Sequence, residues 1–337
     1  MSQAGKQRLI KFYKYYKEWY TTYKTGAIKG VTFDKYELTY KWVKKLAPDL
    51  VLGKMTRADF QKIINEYGKT HEIQTVRDFY HHVAPSIDDA VYEGWIPGRN
   101  PNHKIRMVST KRVRQKPLKY LEIEDVKKLE KVLAMDQTGF GDFFDFLLRT
   151  GLRFAEALGI TPDDIDENEM TIYINKTFNY KINTQNRADH PEYGDFIPTK
   201  NKYSVRMLTI DSKALNDLKK HMGDVDDDEA IWPHWYQNDC PIVRESARYG
   251  HPCIFNSIFN HQLEIMCYRA GTSHTITVHG LRHTHASILI ANGVSIQSVA
   301  KRLGHGDTQT TQQTYIHLLD QLEQRDNQRI ASIMNGI

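Results

Sequence analysis

Through the first hundred positions apolar residues recur every three or four places, the spacing of amphipathic helices rather than the alternation of a half-buried strand. Phe12, Tyr16, Trp19, Tyr20 and Tyr23 fall on one face of a first helix. Thr32 has the place of a cap for a second helix running to Leu46, and Thr56 with Asp59 three residues on has the form of a capping box for a third. A fourth helical stretch covers Thr70 to Tyr92, with an interruption expected at Pro85. Aromatic side chains at helical spacing ordinarily form core, so the stripe is read as the inside of a helical domain and not as a base-stacking platform.

From Tyr120 onward the pattern is mixed. Helical periodicity covers Ile123 to Met135 and Phe140 to Arg149, and it resumes just after Gly151. Two runs of β-forming residues, Thr171 to Phe178 and Tyr203 to Ile210, flank a polar loop, and helices dominate again after Ala214. The acidic stretch Asp224 to Glu229 reads as a solvated loop. Beyond Tyr315, the spacing of Leu318, Leu319, Leu322, Ile330, Ile333 and Ile337 predicts a short amphipathic tail. The fold class is therefore mainly α with a small antiparallel β-sheet.

A length of 337 residues corresponds to about two domains. The overall charge of +5 hides an asymmetry: residues 1–120 carry 24 basic and 11 acidic side chains, residues 121–337 carry 22 and 30. A basic front half points to a polyanionic partner. Arg99, Lys104, Arg106, Lys111, Arg112, Arg114, Lys116 and Lys119 follow one another with no acidic residue among them, and Pro97, Pro101 and Pro117 mark the margins. This is the composition of an interdomain linker able to neutralise phosphates along a duplex, although such runs are usually solvated. No apolar run reaches the ~18 residues of a membrane span and the N-terminus has no signal-peptide core, so a soluble, cytoplasmic protein is expected. Cys240, Cys253 and Cys267 are odd in number and form no C-x-x-C, which suggests neither a disulfide framework nor a zinc knuckle.

Signatures for nucleotide phosphates, zinc proteolysis, the serine nucleophile elbow and dinucleotide binding are all missing from the sequence. What does appear is a series of cationic and imidazole groups that ends in a tyrosine. Thr150-Gly151-Leu152-Arg153-Phe154-Ala155-Glu156 places an arginine at a helix start. His279-Gly280-Leu281-Arg282-His283 opens another helix, with His279 and Arg282 on one face. Leu303-Gly304-His305 ends the next, 23 residues beyond Arg282, and Tyr315 follows ten residues later. His279 and His283 also have the i,i+4 spacing of zinc ligands, but no cysteine or acidic third ligand lies nearby and Arg282 projects among them. No metal and no cofactor are therefore expected, and His283 and His285 are read as partly buried, hydrogen-bonded helix residues.

These boxes, in this order, resemble the tyrosine recombinase (phage integrase) family, and in detail the integrases of phages and conjugative elements of Gram-positive bacteria. The resemblance covers nearly the whole chain. It implies a helical core-binding (SAM-like) domain at 1–98, a basic linker at 99–119, a catalytic domain at 120–317 and a tail at 318–337 that packs on its own domain or docks on a neighbouring subunit. It implies that Arg153 and Arg282 hold the non-bridging oxygens of a phosphodiester, that His279 is the general acid/base, and that His305 contacts the phosphate. Tyr315 is the implied nucleophile and a lysine the implied proton donor. Thr199-Lys200-Asn201-Lys202 offers Lys200 for that donor, six residues before Arg206, with Lys202 as its rival. Glu156 is read as a structural partner of the active-site groups, and His317 as a supporting or surface residue. The implied reaction is metal-independent strand exchange between double-stranded DNA sites by a homotetramer, through a 3′-phosphotyrosyl intermediate and a Holliday junction, with accessory bending or directionality factors as further partners. Integration and excision of a mobile element is the first reading; a chromosome-dimer resolvase and a non-catalytic DNA-binding regulator are the alternatives. Many mobile-element integrases carry an arm-binding domain ahead of the core-binding domain, whereas here the first helix begins within about ten residues of Met1.

Overall fold

The computed structural model describes residues 9–28, 30–112, 118–180, 194–199, 201–242, 253–309, 312, 315, 330–332 and 334–335. These fall into two compact units that divide between Arg112 and Leu118.

Among the described residues the first unit has four α-helices: α1 (Phe12–Lys24), α2 (Gly30–Leu46), α3 (Arg57–Gly68) and α4 (Ile73–Tyr92). The aromatic stripe of α1 is its inner face. Phe12, Tyr16, Trp19 and Tyr20 are buried, joined by Tyr15, which the spacing had not singled out. Tyr23 departs from the expectation: it is 50% exposed at the helix end, where its hydroxyl donates to Glu93 Oε1 at 2.7 Å. Helix α2 starts at Gly30, so Thr32 lies in the first turn instead of capping it. Helix α3 has the predicted capping box, with Thr56 Oγ1 accepting from the Asp59 backbone at 3.2 Å and Asp59 Oδ2 accepting from the Thr56 backbone at 2.9 Å. Helix α4 runs unbroken through Pro85. The proline removes one backbone donor, but Val83, Ala84, Ser86, Ile87 and Ala90 are buried on either side of it, and that packing holds the helix together.

The basic segment after Arg99 is not a free linker over its described length. Ile105 and Met107 pack against the helical core, and the chain runs beside α3 as an extended strap. Gln61 grips the Arg106 backbone from both sides, donating to its carbonyl at 2.8 Å and accepting from its N–H at 2.9 Å, while Arg57 donates to the Lys104 carbonyl at 3.0 Å. Alternating apolar residues inside the basic run supply this anchoring, and Arg99, Lys104, Arg106, Lys111 and Arg112 remain exposed. Arg114 and Lys116 lie outside the described residues.

The second unit opens with α5 (Ile123–Leu133), α6 (Phe140–Thr150) and the short α7 (Phe154–Leu158). Strands β1 (Ile165–Asp166), β2 (Thr171–Ile174) and β5 (Arg206–Thr209) form an antiparallel sheet in the order β1-β2-β5, with Ile172 facing Leu208 in register. Strands β3 (Lys176–Phe178) and β4 (Phe196–Pro198) form a separate antiparallel pair. Helices α8 (Ser212–Lys219), α9 (Ile231–Asn238), α10 (Asn256–Ala270), α11 (Val278–Ala291) and α12 (Ile296–Leu303) complete it. The second β-run is shorter than its composition suggests, because Lys202–Ser204 form a 3₁₀ turn capped by Asn201. Helix α6 is the axis of the core: Phe140, Phe143, Phe144 and Phe146 are fully buried, and Phe143 packs against Trp232 and Phe259 with centroids about 5 Å apart. Arg149, at its end, ties together α5, α6 and the cap of α8 through Glu130, Asp145 and Asp211. All three cysteines are buried, and none is part of a disulfide. Among the described residues no helix is long and apolar enough to cross a membrane. Of the expected tail, only five residues between Ile330 and Asn335 are described.

Gly68 sets how closely the strap approaches α3, since a Cβ there would stand 2.0 Å from the Val108 carbonyl oxygen. Gly68→Ala is expected to lift the strap and to lower stability by about 1–3 kcal/mol, the usual range for overpacking. Thermal unfolding should shift downward and trypsin should cleave faster after Lys104 and Arg106; wild-type protection at those two sites would refute the account.

Candidate active site

The cluster begins where α6 stops. Gly151 ends the helix in the left-handed region with φ 66°, and a Cβ there would meet the His285 ring at 2.5 Å, so the turn requires glycine. Two residues later Arg153 occupies the N-cap of α7, and Glu156 in the first turn reaches back to its backbone N–H at 3.1 Å. The Arg153 guanidinium donates to Glu156, to Ser204 Oγ at 3.0 Å and to the Gly304 carbonyl at 3.1 Å.

Thr277 caps α11, whose first turns carry His279, Arg282 and His283. Arg282 is 3% exposed. Its guanidinium donates to the Gly151 carbonyl at 2.7 Å and the Leu303 carbonyl at 2.5 Å, and stands 3.1 Å from His305 Nε2. A guanidinium only donates, so His305 Nε2 is the acceptor and its proton sits on Nδ1. His305 is placed there by Gly304, which ends α12 with φ 68° and would clash with Arg206 if it bore a Cβ. Arg206 lies against the same spot, donating to Glu156 at 3.1 Å, to the Ser204 carbonyl at 2.7 Å and to the Arg302 carbonyl at 2.6 Å. Tyr315 is 2% exposed, its ring among Ala286, Ile290, Val299 and Leu303 and its hydroxyl 2.9 Å from His283 Nδ1. The His279 and His283 rings meet edge to face with centroids 5.0 Å apart.

Arg153 thus contacts Glu156 and Arg282 contacts His305, the two pairs meeting at the adjacent carbonyls of Gly304 and Leu303, and His279, His283 and Tyr315 form a second chain starting from the same helix turn. Lys119, read as a linker cation, lies close enough for its charge to act on both His279 and His283. Lys200 and His317 lie outside the described residues. Lys202 is exposed and lines a cleft of about 400 Å³ together with Tyr203, Arg206, Lys301 and His305. His283 and Arg206 were not singled out from sequence for a functional position. The first had a signal in its i,i+4 spacing from His279; the second had served only as a ruler for the lysine. His285 is a framework residue, its Nδ1 2.8 Å from the Leu148 carbonyl and its Nε2 accepting from Arg302.

So much positive charge in a dry place governs the titration of everything near it. Burial, then the Arg282, Arg153 and Arg206 charges, lower His305 to about 4. Burial and the surrounding imidazole and cationic groups hold His283 at about 4. His279 sits at the rim with its outer side exposed, and the protein behind it and the neighbouring cations lower it as well. All three imidazoles are therefore neutral at pH 7. Burial raises the Tyr315 hydroxyl above the ordinary phenol range, with Arg282 opposing. Burial also works to raise Glu156, but Arg206, Arg153 and Arg282 outweigh it and keep the carboxylate ionised below its usual range. The ensemble is a partly enclosed cationic cluster with three guanidiniums, neutral imidazoles that can donate or accept protons, and a phenol, a set of groups suited to an anion.

The phage integrase family model matches residues 119–321, more than half of the chain. This protein belongs to the phage integrase family. The integrase of Staphylococcus phage L54a is 24% identical over 98% of this chain and 95% of its own length. The ICEBs1 integrase of Bacillus subtilis is 27% identical over 77% of this chain and 65% of that protein. The fold is that of the Tn1549 transposon integrase solved with transposon right-end DNA, with TM-score 0.72 and 14% identity over 96% of this chain and all of that one. As a family member, the chain is a tyrosine recombinase, an enzyme that breaks and rejoins DNA.

Glu156 is the buried counter-ion of the cluster, so removing it leaves Arg206 without its carboxylate. Glu156→Ala is expected to destabilise the integrase by about 3–5 kcal/mol, the range for a broken buried pair. Its folded-state pKa is depressed, so the stability it contributes is present above the unfolded value near 4.3 and disappears as pH falls through the folded value. Urea denaturation should therefore show wild type and variant converging below about pH 4; a pH-independent difference would contradict the charge account.

Proposed function

We propose that this integrase integrates and excises a mobile element, cutting one strand at a time through Tyr315 and passing through a 3′-phosphotyrosyl intermediate and a Holliday junction. The observation that carries the reading is the approach of Arg282 to His305, 3.1 Å apart, with Arg153 bridging the same helix end to Glu156. In phosphodiester transfer, negative charge accumulates on the non-bridging oxygens, and preorganised guanidiniums in a water-poor pocket stabilise it before any reorganisation is needed. Arg153 and Arg282 take that role, and His305 adds a hydrogen bond. Tyr315 attacks phosphorus and conserves the bond energy as a phosphotyrosine ester, so strand joining needs no nucleotide hydrolysis. His279 is assigned proton transfer at the rim, and the leaving 5′-oxygen takes its proton from Lys200 or Lys202. Glu156 orients the arginines, and His317 is assigned a supporting place beside Tyr315 in the chain.

Mobile-element integration is supported by the relatives, a phage integrase and the ICEBs1 integrase. The helical unit and its strap are assigned to the duplex on either side of the cut site, with Arg99, Lys104, Arg106, Lys111, Arg112, Arg114, Lys116 and Lys119 neutralising phosphates. The strap's backbone is spent on α3, which turns its cations toward solvent. Four protomers on two DNA sites are the working assembly, and the tail from 318 onward is assigned to contact with a neighbouring subunit.

Covalent trapping tests the chemistry. Incubation with a pool of randomised nicked duplexes in EDTA is expected to give a protein–DNA adduct under denaturing conditions, abolished by Tyr315→Phe. Sequencing the trapped DNA gives the site. Salt-sensitive binding with no adduct, even on the element's own junction DNA, would instead establish a binding protein on this scaffold, and neither adduct nor binding would remove the recombinase reading.

A further inference from the structure

The hydrogen bond between His283 and Tyr315 has no part in the reading above, which gives proton transfer to His279 and a lysine. Its geometry is that of a nucleophile and its base. Nδ1 and the phenolic oxygen are 2.9 Å apart, within proton-transfer reach, and the Tyr315 ring is packed so that little water competes for the hydroxyl. His279 stands behind this pair with its ring against the His283 ring.

We propose that His283 is the proton acceptor of Tyr315: Nδ1 accepts the phenolic hydrogen bond in the resting integrase and takes the proton when Tyr315 attacks a phosphodiester. The inference rests on the recombinase reading and deepens it. As the tyrosine oxygen bonds to phosphorus, its O–H bond breaks and the proton passes to Nδ1. The bond from phosphorus to the 5′-oxygen breaks, and that oxygen takes its proton from the lysine assigned above. Rejoining reverses each transfer: the 5′-hydroxyl attacks, the tyrosine oxygen leaves, and it recovers the proton held by His283.

The charges around this imidazole explain why the pair is idle without DNA. Arg282 faces it from its own helix and Lys119 from the segment before α5 as cations, while His279 on the same helix and His305 at the end of α12 face it as neutral rings, with Tyr315 opposite. Burial and these groups keep His283 at about 4, while burial raises Tyr315, so the proton stays on the phenol. A phosphodiester lodged against Arg153 and Arg282 brings negative charge into the same poorly solvated volume. That cancels the cationic share of the shift, leaving the larger share that burial imposes, and makes the imidazole a stronger base than it is in the free protein. The substrate thus arms the nucleophile, and a free protein meeting water or a stray electrophile does not.

The test follows adduct formation on the randomised nicked duplexes in EDTA from about pH 5.5 to about pH 9, for wild type, Tyr315→Phe, His283→Asn, His283→Ala and His279→Asn. Wild type is expected to rise to a plateau near neutrality. His283→Asn keeps an oxygen able to accept the phenolic hydrogen but cannot hold a proton. Its rate should fall at least tenfold at pH 7 and climb with pH without a plateau, as hydroxide replaces the imidazole. Added imidazole should restore His283→Ala at least fivefold, which a purely structural loss would not allow. A wild-type rate and plateau in His283→Asn, or no imidazole rescue in a His283→Ala protein that melts like wild type, overturns the proposal; loss confined to His279→Asn would return the role to His279. Absence of any Tyr315-dependent adduct in wild type would instead overturn the recombinase reading, and this inference with it.

Discussion

Everything in the site depends on how three guanidiniums are held together away from bulk water. Like charges at such range repel strongly once water is excluded, and each buried cation also loses hydration. One carboxylate, Glu156, answers for two of them. The rest is answered by backbone. Arg282 donates to the carbonyls of Gly151 and Leu303, Arg206 to that of Arg302, and Arg153 to that of Gly304. All four carbonyls lie at the C-terminal ends of α6 and α12, where unpaired oxygens and the helix dipole present partial negative charge. The helices end at Gly151 and Gly304 because glycine takes the left-handed turn there, and the ends so formed supply the counter-charge of the cluster.

That solution is partial, and the charge it leaves over is what the proposed reaction would use. Three arginines face one carboxylate and a few carbonyls, so a surplus of positive potential remains in a poorly solvated space. Burial first and this surplus second strip the imidazoles of their protons: His283 and His305 both lie at about 4. An anion entering the cluster is attracted by the surplus and, by cancelling it, changes the basicity of the same imidazoles. In the proposed mechanism, binding and acid–base readiness are thus linked through the same electrostatic field.

How much of this was readable without coordinates follows from what kind of interaction each feature depends on. The capping box of Thr56 and Asp59, the stripe on α1 and the helix boundaries near Ile123 and Phe140 are local, and spacing alone was enough. Pro85 shows the opposite case, since burial on both sides of a proline overrides its local penalty and nothing in the neighbouring residues announces it. The strap was misread for a related reason: its positive charge is conspicuous, whereas Ile105, Met107 and the reach of Gln61 from α3 matter only once the chain has folded back. Within the site, boxes built around glycine were legible because Gly151 and Gly304 mark turns that need left-handed backbone. Arg206 and His283 were not, because their partners lie 50 and 32 residues away and no pattern within one helix or strand encodes the meeting.

The framework behind the cluster shows why so few positions carry so much. Arg302 reaches His285, Thr209 and Arg149 at once, linking α12 to α11, the sheet and the end of α6. His285 in turn stacks its ring edge into the space that Gly151 leaves open. A change at any of these residues moves a helix terminus, and a helix terminus is what holds an arginine. The geometry of the cluster is therefore fixed by residues that do not enter it, the buried His285 and the half-buried Arg302, each held by hydrogen bonds. For the proposed strand cleavage this matters, because guanidiniums that need not reorganise as charge develops on phosphorus lower the barrier, whereas mobile ones would first have to be ordered.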